Sequence, residues 1–414
     1  MTTVKDSVHD HIEVAGVGGA LMETPPVQRL RRVRQLGTVS LVYPSANHTR
    51  FEHSLGVYHL ASAALDHLDV GGRRAEEVRA AAILHDVGHS PFSHTLEGLV
   101  HRRTGKYHDD VADIVESDEV AAVLDGYGIE ADRVEALIGG DGLMGQLIAG
   151  ELDVDRMDYL VRDAHHTGVP YGTIDTQRLV RALRFVDGHL VLDEGNVQTA
   201  ESLLLARALM NPTVYNHHVA RISKTMLRRA AEAYLETSET TARELRRMDD
   251  PELRVAIRST DASRDLATRL ADRHLYKRAV WAELGDVGEP LAGDLFDADR
   301  DRIRDYEVAI ADRADADPDH VIVDVQGPPS MRESTTRVLV NGEIRQLQNQ
   351  STLVRALERT QREQWRLGVY APERKTGAIG RAAESVLGLE TDGALIAETD
   401  SPGRYASLDD FGGA

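Results

Sequence analysis

His53, the adjacent pair His85-Asp86, and Asp155 constrain this chain more than any other feature, because two imidazoles and two carboxylates serve one purpose only if the fold brings them to one point. Their settings are RFEHSLGV, ILHDVGHSPFSH and GELDVDRMDYLVRDAHHTG. Each reads as helical. Over 52–68 the apolar Leu55, Leu60, Ala63 and Ala64 recur at helical spacing, which puts His53 in a first turn. The Ala-rich stretch 76–85 is a second helix, and Gly88 and Pro91 stop it just past the pair. The stretch 144–166 reads as one long amphipathic helix with Leu147, Leu152, Leu160 and Val161 toward a core. Neighbouring residues on a helix point about 100° apart, so His85 and Asp86 share a ligand only across that edge, with His53 and Asp155 arriving from two other helices. Such a donor set suits a borderline or hard divalent ion and leaves positions open for water and phosphate oxygens.

The rest of the chain is expected to be mainly α as well. Asp155, Tyr159 and Asp163 are four apart and share one helix face. The stretch 185–193 reads as a hairpin turning at Asp187-Gly188, followed by helices over 197–211 and 212–236. A charged, mostly helical segment spans 237–317. Near Pro318 the pattern changes, with strands over 320–325 and 337–347, the latter turning at Asn341-Gly342, and a helix over 351–365. This predicts a catalytic helical domain over 1–236, a helical extension over 237–317, a small α+β segment over 318–375, and a loosely ordered acidic tail over 376–414.

The chain has 414 residues, 42% of them hydrophobic, and no long apolar run, which predicts a large soluble core in two or three units and no membrane span. The first 20 residues lack a basic region followed by an apolar stretch, so a cytoplasmic protein is expected. With no cysteine, disulfides and thiolate zinc sites are excluded and His, Asp and Glu are the strong ligands that remain. The net charge is -20, and lysine supplies only five of the 48 basic residues, a balance like that of proteins from salt-loving organisms. It argues against a general nucleic-acid partner, which needs a basic face.

QRLRRVRQLG, NHTRFEHSLGV, HDVGHSPFSH and DVDRMDYLVRDAHH occur in one order along the chain, and LADRHLYKRAV follows near residue 275. In these motifs the chain resembles the HD-domain phosphohydrolases, more narrowly the deoxynucleoside triphosphate triphosphohydrolases, over about 28–215. The resemblance implies an HD-domain helical fold with a small C-terminal α+β appendage. It implies one divalent transition metal (Fe, Mn, Ni, Co or Zn) on His53, His85, Asp86 and Asp155, with Mg accompanying the triphosphate. It also implies hydrolysis of a dNTP to deoxynucleoside and inorganic triphosphate, and assembly as a homo-oligomer.

Further roles follow residue by residue. His94 matches the proton donor to the leaving 5'-oxygen, and Glu97, three residues on, is placed to orient its imidazole and raise its pKa. His89 and His108 match the other active-site histidines, although TGKYHDD departs from the family's usual tryptophan and glutamate around the latter. Arg50 and Arg207 match phosphate contacts, as does Arg156, which stands where vertebrate members have lysine. Arginine suits that role because its fork binds two oxygens at once. Tyr159 and Asp163 match the pair that reads the sugar 3'-hydroxyl, Tyr215 the tyrosine beside C2', and Gln35 and Leu36 residues near base and sugar. Glu23, Gln28 and Arg31 fall where vertebrate members hold a regulatory guanine nucleotide, with Glu23 replacing an aspartate. Two other functions share this scaffold: a nucleotide phosphomonoesterase or cyclic-nucleotide phosphodiesterase, and a non-catalytic nucleotide sensor.

Overall fold

The computed structural model describes residues 1–390 and 395–396, and the chain is mainly helical as expected. It divides into two compact units. The first comprises Met1–Leu275 and Met331–Arg359; the second comprises Tyr276–Ser330 and the chain from Thr360 onward. Positions 237 and 318 therefore fall inside units, and burial explains why. Leu245, Leu253, Ile257 and Ala267, from the expected helical extension, bury against Phe92, Leu96, Leu99 and Leu227 of the first unit. Val338, Leu347, Val354 and Leu357 likewise join the first unit's main core.

In the first unit, the helix Arg50–His67 packs on Gly72–Leu84 and on Val154–Thr167. Its start is fixed by a capping box in which the Thr49 backbone N–H and hydroxyl both donate to Glu52, at 2.6 and 2.9 Å. An N-terminal hairpin, Thr2–Asp6 with Asp10–Val14, was not anticipated. The strands Leu183–Val186, His189–Leu192, Arg337–Val340 and Glu343–Gln346 form one sheet in that spatial order. Both of its hairpins turn at residues of positive φ, Asp187-Gly188 and Asn341-Gly342, as their sequences predict.

Four expectations need correction. The helix expected over 144–166 is two, Gly142–Ala149 and Val154–Thr167. Gly150 leaves the helical region, and Asp153 caps the second helix by accepting the Arg156 N–H at 2.8 Å. The helix expected to begin at 212 begins at His218, after a π-helical turn over Asn211–Tyr215 that carries Tyr215. The segment 237–317 contains a strand, Lys277–Glu283, which pairs with Arg366–Ala371, itself paired with Ile322–Asp324. The tail is not loose from its start: Thr376–Leu387 is a helix that buries Ile379 and Ala383 in the second unit's core, while positions 391–394 and the stretch from 397 lie outside the described residues. Among the described residues no helix is long and apolar enough to cross a membrane.

Candidate metal centre and its cavity

Three helices deliver the quartet. His53 stands in the first turn of Arg50–His67, His85 caps the C-terminal end of Gly72–Leu84 with Asp86 beside it, and Asp155 lies in the first turn of Val154–Thr167. His53 Nε2 lies 2.8 Å from Asp155 Oδ1, 3.3 Å from His85 Nε2 and 3.8 Å from Asp86 Oδ2. His85 Nε2 lies 3.5 Å from Asp86 Oδ1 and 3.8 Å from Asp155 Oδ1. Ligands about 2.0–2.2 Å from one ion stand roughly 3–3.5 Å from each other, so these separations suit a shared cation.

The tautomers agree with that fit. His85 Nδ1 lies 2.8 Å from the Ala82 carbonyl, a bond that only an N–H can make. His53 Nδ1 is bound to the Asp158 carboxylate at 2.8 Å. Both Nε2 lone pairs therefore face each other and the carboxylates, an arrangement of acceptors that asks for positive charge. Burial opposes protonation of His53, yet its hydrogen bonds to Asp155 and Asp158 and the charge of Asp86 push its pKa up to about 10. A divalent cation answers the same demand and leaves the imidazoles neutral.

Sequence reading missed the support behind His53. Asp158 is fully buried and also accepts from Arg162 Nε at 2.9 Å and pairs with His9 Nε2 at 2.7 Å. Arg162 reaches on to Asp6 at 2.8 Å, and Asp6 holds the backbone N–H groups of Val8 and His9 at 2.9 and 2.8 Å. The N-terminal hairpin is thus tied to a candidate metal ligand. Gly56 in EHSLG makes room for this network, since a Cβ there would stand 1.8 Å from Asp158 Oδ1. The spacing of Asp158 and Arg162, four apart on one helix, was the available signal.

Beside the quartet, His89, His94 and His108 gather. The His89 and His108 rings stack at 4.3 Å, and His94 stands edge-on to both. Glu97 holds two of them, accepting from His94 Nδ1 at 3.0 Å and bonding His108 Nδ1 through its other oxygen. Burial works against the Glu97 carboxylate, but His108 and His94 keep it well below the ordinary range. Crowding against the cavity walls and the charge of Arg50 lower the His94 pKa more than Glu97 raises it, even though 57% of the side chain is exposed, the reverse of the upward shift expected for it. For His108, burial is outweighed by Glu97 and the pKa rises. His89 is 1% exposed and lies 3.2 Å from Asp86. Gly88 allows the crowding: a Cβ there would be 2.0 Å from the His108 carbonyl.

His94 follows a turn in which Phe92 and Ser93 both take left-handed backbone, at φ 57° and 56°. Such conformations cost on the order of 1–3 kcal/mol each and need firm anchoring. Asp250 accepts the Phe92 N–H at 2.7 Å, and the Ser93 hydroxyl lies between the Arg34 carbonyl and Arg50 Nε, at 2.6 and 2.7 Å.

One cavity of about 450 Å³ joins His85, Asp86, Asp155, His89, His94 and His108 to Gln35, Leu36, Arg50, Tyr159, Asp163, Arg207 and Tyr215, with His53 behind its wall. It also includes Asn211, Asn216, Lys224 and Arg228, which were not anticipated. Arg50 Nη1 reaches both Asp86 oxygens at 2.8 Å. The Tyr215 hydroxyl donates to Asp163 Oδ2 at 2.8 Å, and His48, also missed, holds Asp163 Oδ1 at 2.7 Å. Arg156 does not line the cavity: it is held by Asp153, by the Gly150 carbonyl at 2.6 Å and by Glu333 at 2.9 Å. Away from this site, Arg31 bonds Gln28 at 2.9 Å and lies over the Phe51 ring, while Glu23 is exposed at the end of Gly16–Met22.

Residues 50–163 match the HD domain and residues 174–398 the HD associated region. The chain belongs to the HD-domain family. An uncharacterized protein of Methanocaldococcus jannaschii is 32% identical over 385 residues, covering 91% of this chain and 80% of that protein. The Dictyostelium discoideum protein named a deoxynucleoside triphosphate triphosphohydrolase SAMHD1 homolog is 29% identical over 316 residues, 66% of this chain and 59% of its own length. A crystal structure of a hypothetical protein from Aquifex aeolicus shares the fold at a TM-score of 0.74 and 28% identity, covering 93% of this chain and 99% of that one. HD domains bind a divalent metal, and His53, His85 and Asp86 form the candidate site for it.

Proposed function

We propose that this HD-domain protein hydrolyses deoxynucleoside triphosphates to deoxynucleoside and inorganic triphosphate. One observation carries the reading: His85, Asp86 and Asp155 of the quartet line one cavity with Arg50, Arg207 and a polar corner in which Tyr215 and His48 pin Asp163. His53, His85, Asp86 and Asp155 would hold the ion, an Fe, Mn, Ni, Co or Zn, with Mg on the triphosphate. When bound, such an ion polarises a phosphoryl oxygen and makes water a better nucleophile.

The chain's own groups supply the rest. Arg50 keeps Asp86 ionised and oriented, and Arg207 offers charge to the phosphates. His94 has Nδ1 on Glu97, so in its imidazolium form Nε2 would carry the proton for the departing 5'-oxygen. Tyr159 and Asp163 take the 3'-hydroxyl, while Tyr215 closes the space beside C2'. A ribose hydroxyl there would be buried unpaired, at ~1–3 kcal/mol or roughly 5- to 150-fold in rate.

The test is incubation with each dNTP and NTP in Mn or Mg, with chromatography of products. Tripolyphosphate and deoxynucleoside are expected, with dGTP cleaved far faster than GTP. Orthophosphate or a linear nucleotide as product would assign a phosphomonoesterase or phosphodiesterase instead, and equal rates on both sugars would remove the deoxynucleotide preference.

A further inference from the structure

Glu333 belongs to a short turn, Arg332–Thr335, in the HD associated region, and its side chain is 1% exposed. Its backbone is firmly placed. Thr336 donates to the Glu333 carbonyl through its N–H at 3.1 Å and its hydroxyl at 2.7 Å, and the Thr336 carbonyl accepts the Leu347 N–H at 2.8 Å. The strand that follows, Arg337–Val340, joins His189–Leu192 through Val338 and Leu192. The carboxylate is therefore a fixed anion delivered by the fold. It is ion-paired to Arg207, a wall of the cavity, and to Arg156 Nε at 2.9 Å.

The two arginines differ in what they can release. Arg156 has further acceptors in Asp153 and the Gly150 carbonyl, and it lies off the cavity wall. Arg207 faces the cavity with Glu333 as its carboxylate partner. The other Glu333 oxygen, Oε2, is buried without a hydrogen-bond partner among the described residues. A buried carboxylate with half its acceptor capacity unmet is a poor final partner for a guanidinium, and a phosphate oxygen, with more charge and a matching fork, is a better one.

We propose that Glu333 is a specificity-determining residue: an internal anion that occupies the Arg207 guanidinium and gives it up to a polyphosphate, while singly phosphorylated ligands compete poorly. The inference rests on reading the cavity as a polyphosphate site and adds what sets its threshold. A ligand has to displace a fixed carboxylate, and the gain from doing so grows with the number of phosphate oxygens it brings to the remaining cavity cations.

The test is calorimetric titration of metal-loaded protein with tripolyphosphate and with orthophosphate at fixed ionic strength, comparing the unsubstituted chain, Glu333→Gln and Glu333→Asp. Glu333→Gln should bind tripolyphosphate about tenfold more tightly, the gain expected from removing one competing charge-assisted bond. Its preference for tripolyphosphate over orthophosphate should narrow. Glu333→Asp keeps the charge and withdraws it by one methylene, so it should move in the same direction by less, and it serves if the Gln protein does not fold. Weaker or unchanged tripolyphosphate binding in the folded variants would overturn the proposal, because a carboxylate that merely positions the arginines gives that result. Binding that tightens in a protein that cleaves no dNTP would uphold this inference and sink the substrate assignment.

Discussion

Asp158→Asn separates the support of the candidate metal centre from its ligands. Asp158 is fully buried and meets His53 Nδ1 at 2.8 Å, His9 Nε2 at 2.7 Å and Arg162 through Nε and Nη2 at 2.9 and 3.0 Å. Burial alone would neutralise this carboxylate, but Arg162, His53 and His9 hold its pKa well below the ordinary value. An amide of equal size keeps one acceptor and turns an NH2 toward groups that donate, so His53 loses the partner that fixes its Nδ1 proton. Loss of such a partner typically weakens metal binding by about 10–100-fold, or ~1.4–2.7 kcal/mol. Removing one member of a buried ion pair costs about 3–5 kcal/mol of stability, and the lower end applies because Arg162 keeps Asp6 at 2.8 Å. Metal affinity is read by titration against a chromophoric chelator, and stability by urea unfolding of the stripped protein. Asp6→Asn is the control: it removes the other Arg162 partner without touching His53, so stability should fall while metal affinity stays near that of the unsubstituted chain. If Asp158→Asn binds metal as tightly as the unsubstituted chain, or if both variants weaken it equally, the network stabilises the fold without tuning the metal.

Two further outcomes are expected. Gly88→Ala places a Cβ 2.0 Å from the His108 carbonyl and 2.8 Å from Arg246 Nη2, so it should lower stability by ~1–3 kcal/mol and cut turnover while metal content stays full; a fully active variant would show that His108 need not sit where it does. Asp250 has its pKa pushed up to about 6 by burial, with the N–H groups of Phe92 and Arg34 opposing. A carboxyl raised on folding contributes stability when protonated and loses it as pH rises through the folded value, so the chain should gain roughly 1–1.5 kcal/mol from pH 7 to pH 5 through this group. Urea unfolding at both pH values, with Asp250→Asn as comparison, checks it: an identical difference in the two proteins removes Asp250 as the source.

The convergence of the four side chains was legible in the chain because candidate metal ligands come from a few residue types, and because helical spacing around each member says which way it faces. The hairpins at Asp187-Gly188 and Asn341-Gly342 were legible for a similar reason, since a positive φ at consecutive positions selects the residue locally. Segments whose partners are distant were not. Lys277–Glu283 reads as part of a charged helical stretch until Arg366–Ala371 pairs with it, and Gly150 reads as a tolerable helix residue until Asp153 restarts the chain as its own cap.

The same distinction holds inside the site. His53, His85, Asp86 and Asp155 announce themselves, whereas the groups that aim or neutralise them are ordinary in sequence: His9 is 149 residues from Asp158, and Glu333 is 177 residues from Arg156. No local pattern encodes such a pair, because either member alone reads as a solvated polar residue. The trace left in sequence is indirect and lies in the glycines. Gly56 and Gly88 sit inside helical or metal-bearing motifs where a side chain would otherwise favour the local structure, and at each the missing Cβ marks a place where Asp158 or the His108 backbone has to pass. A glycine close to a candidate ligand, where a Cβ would collide, is therefore a pointer to the network behind that ligand, and here it points to the two places where the support of the candidate site crosses between elements.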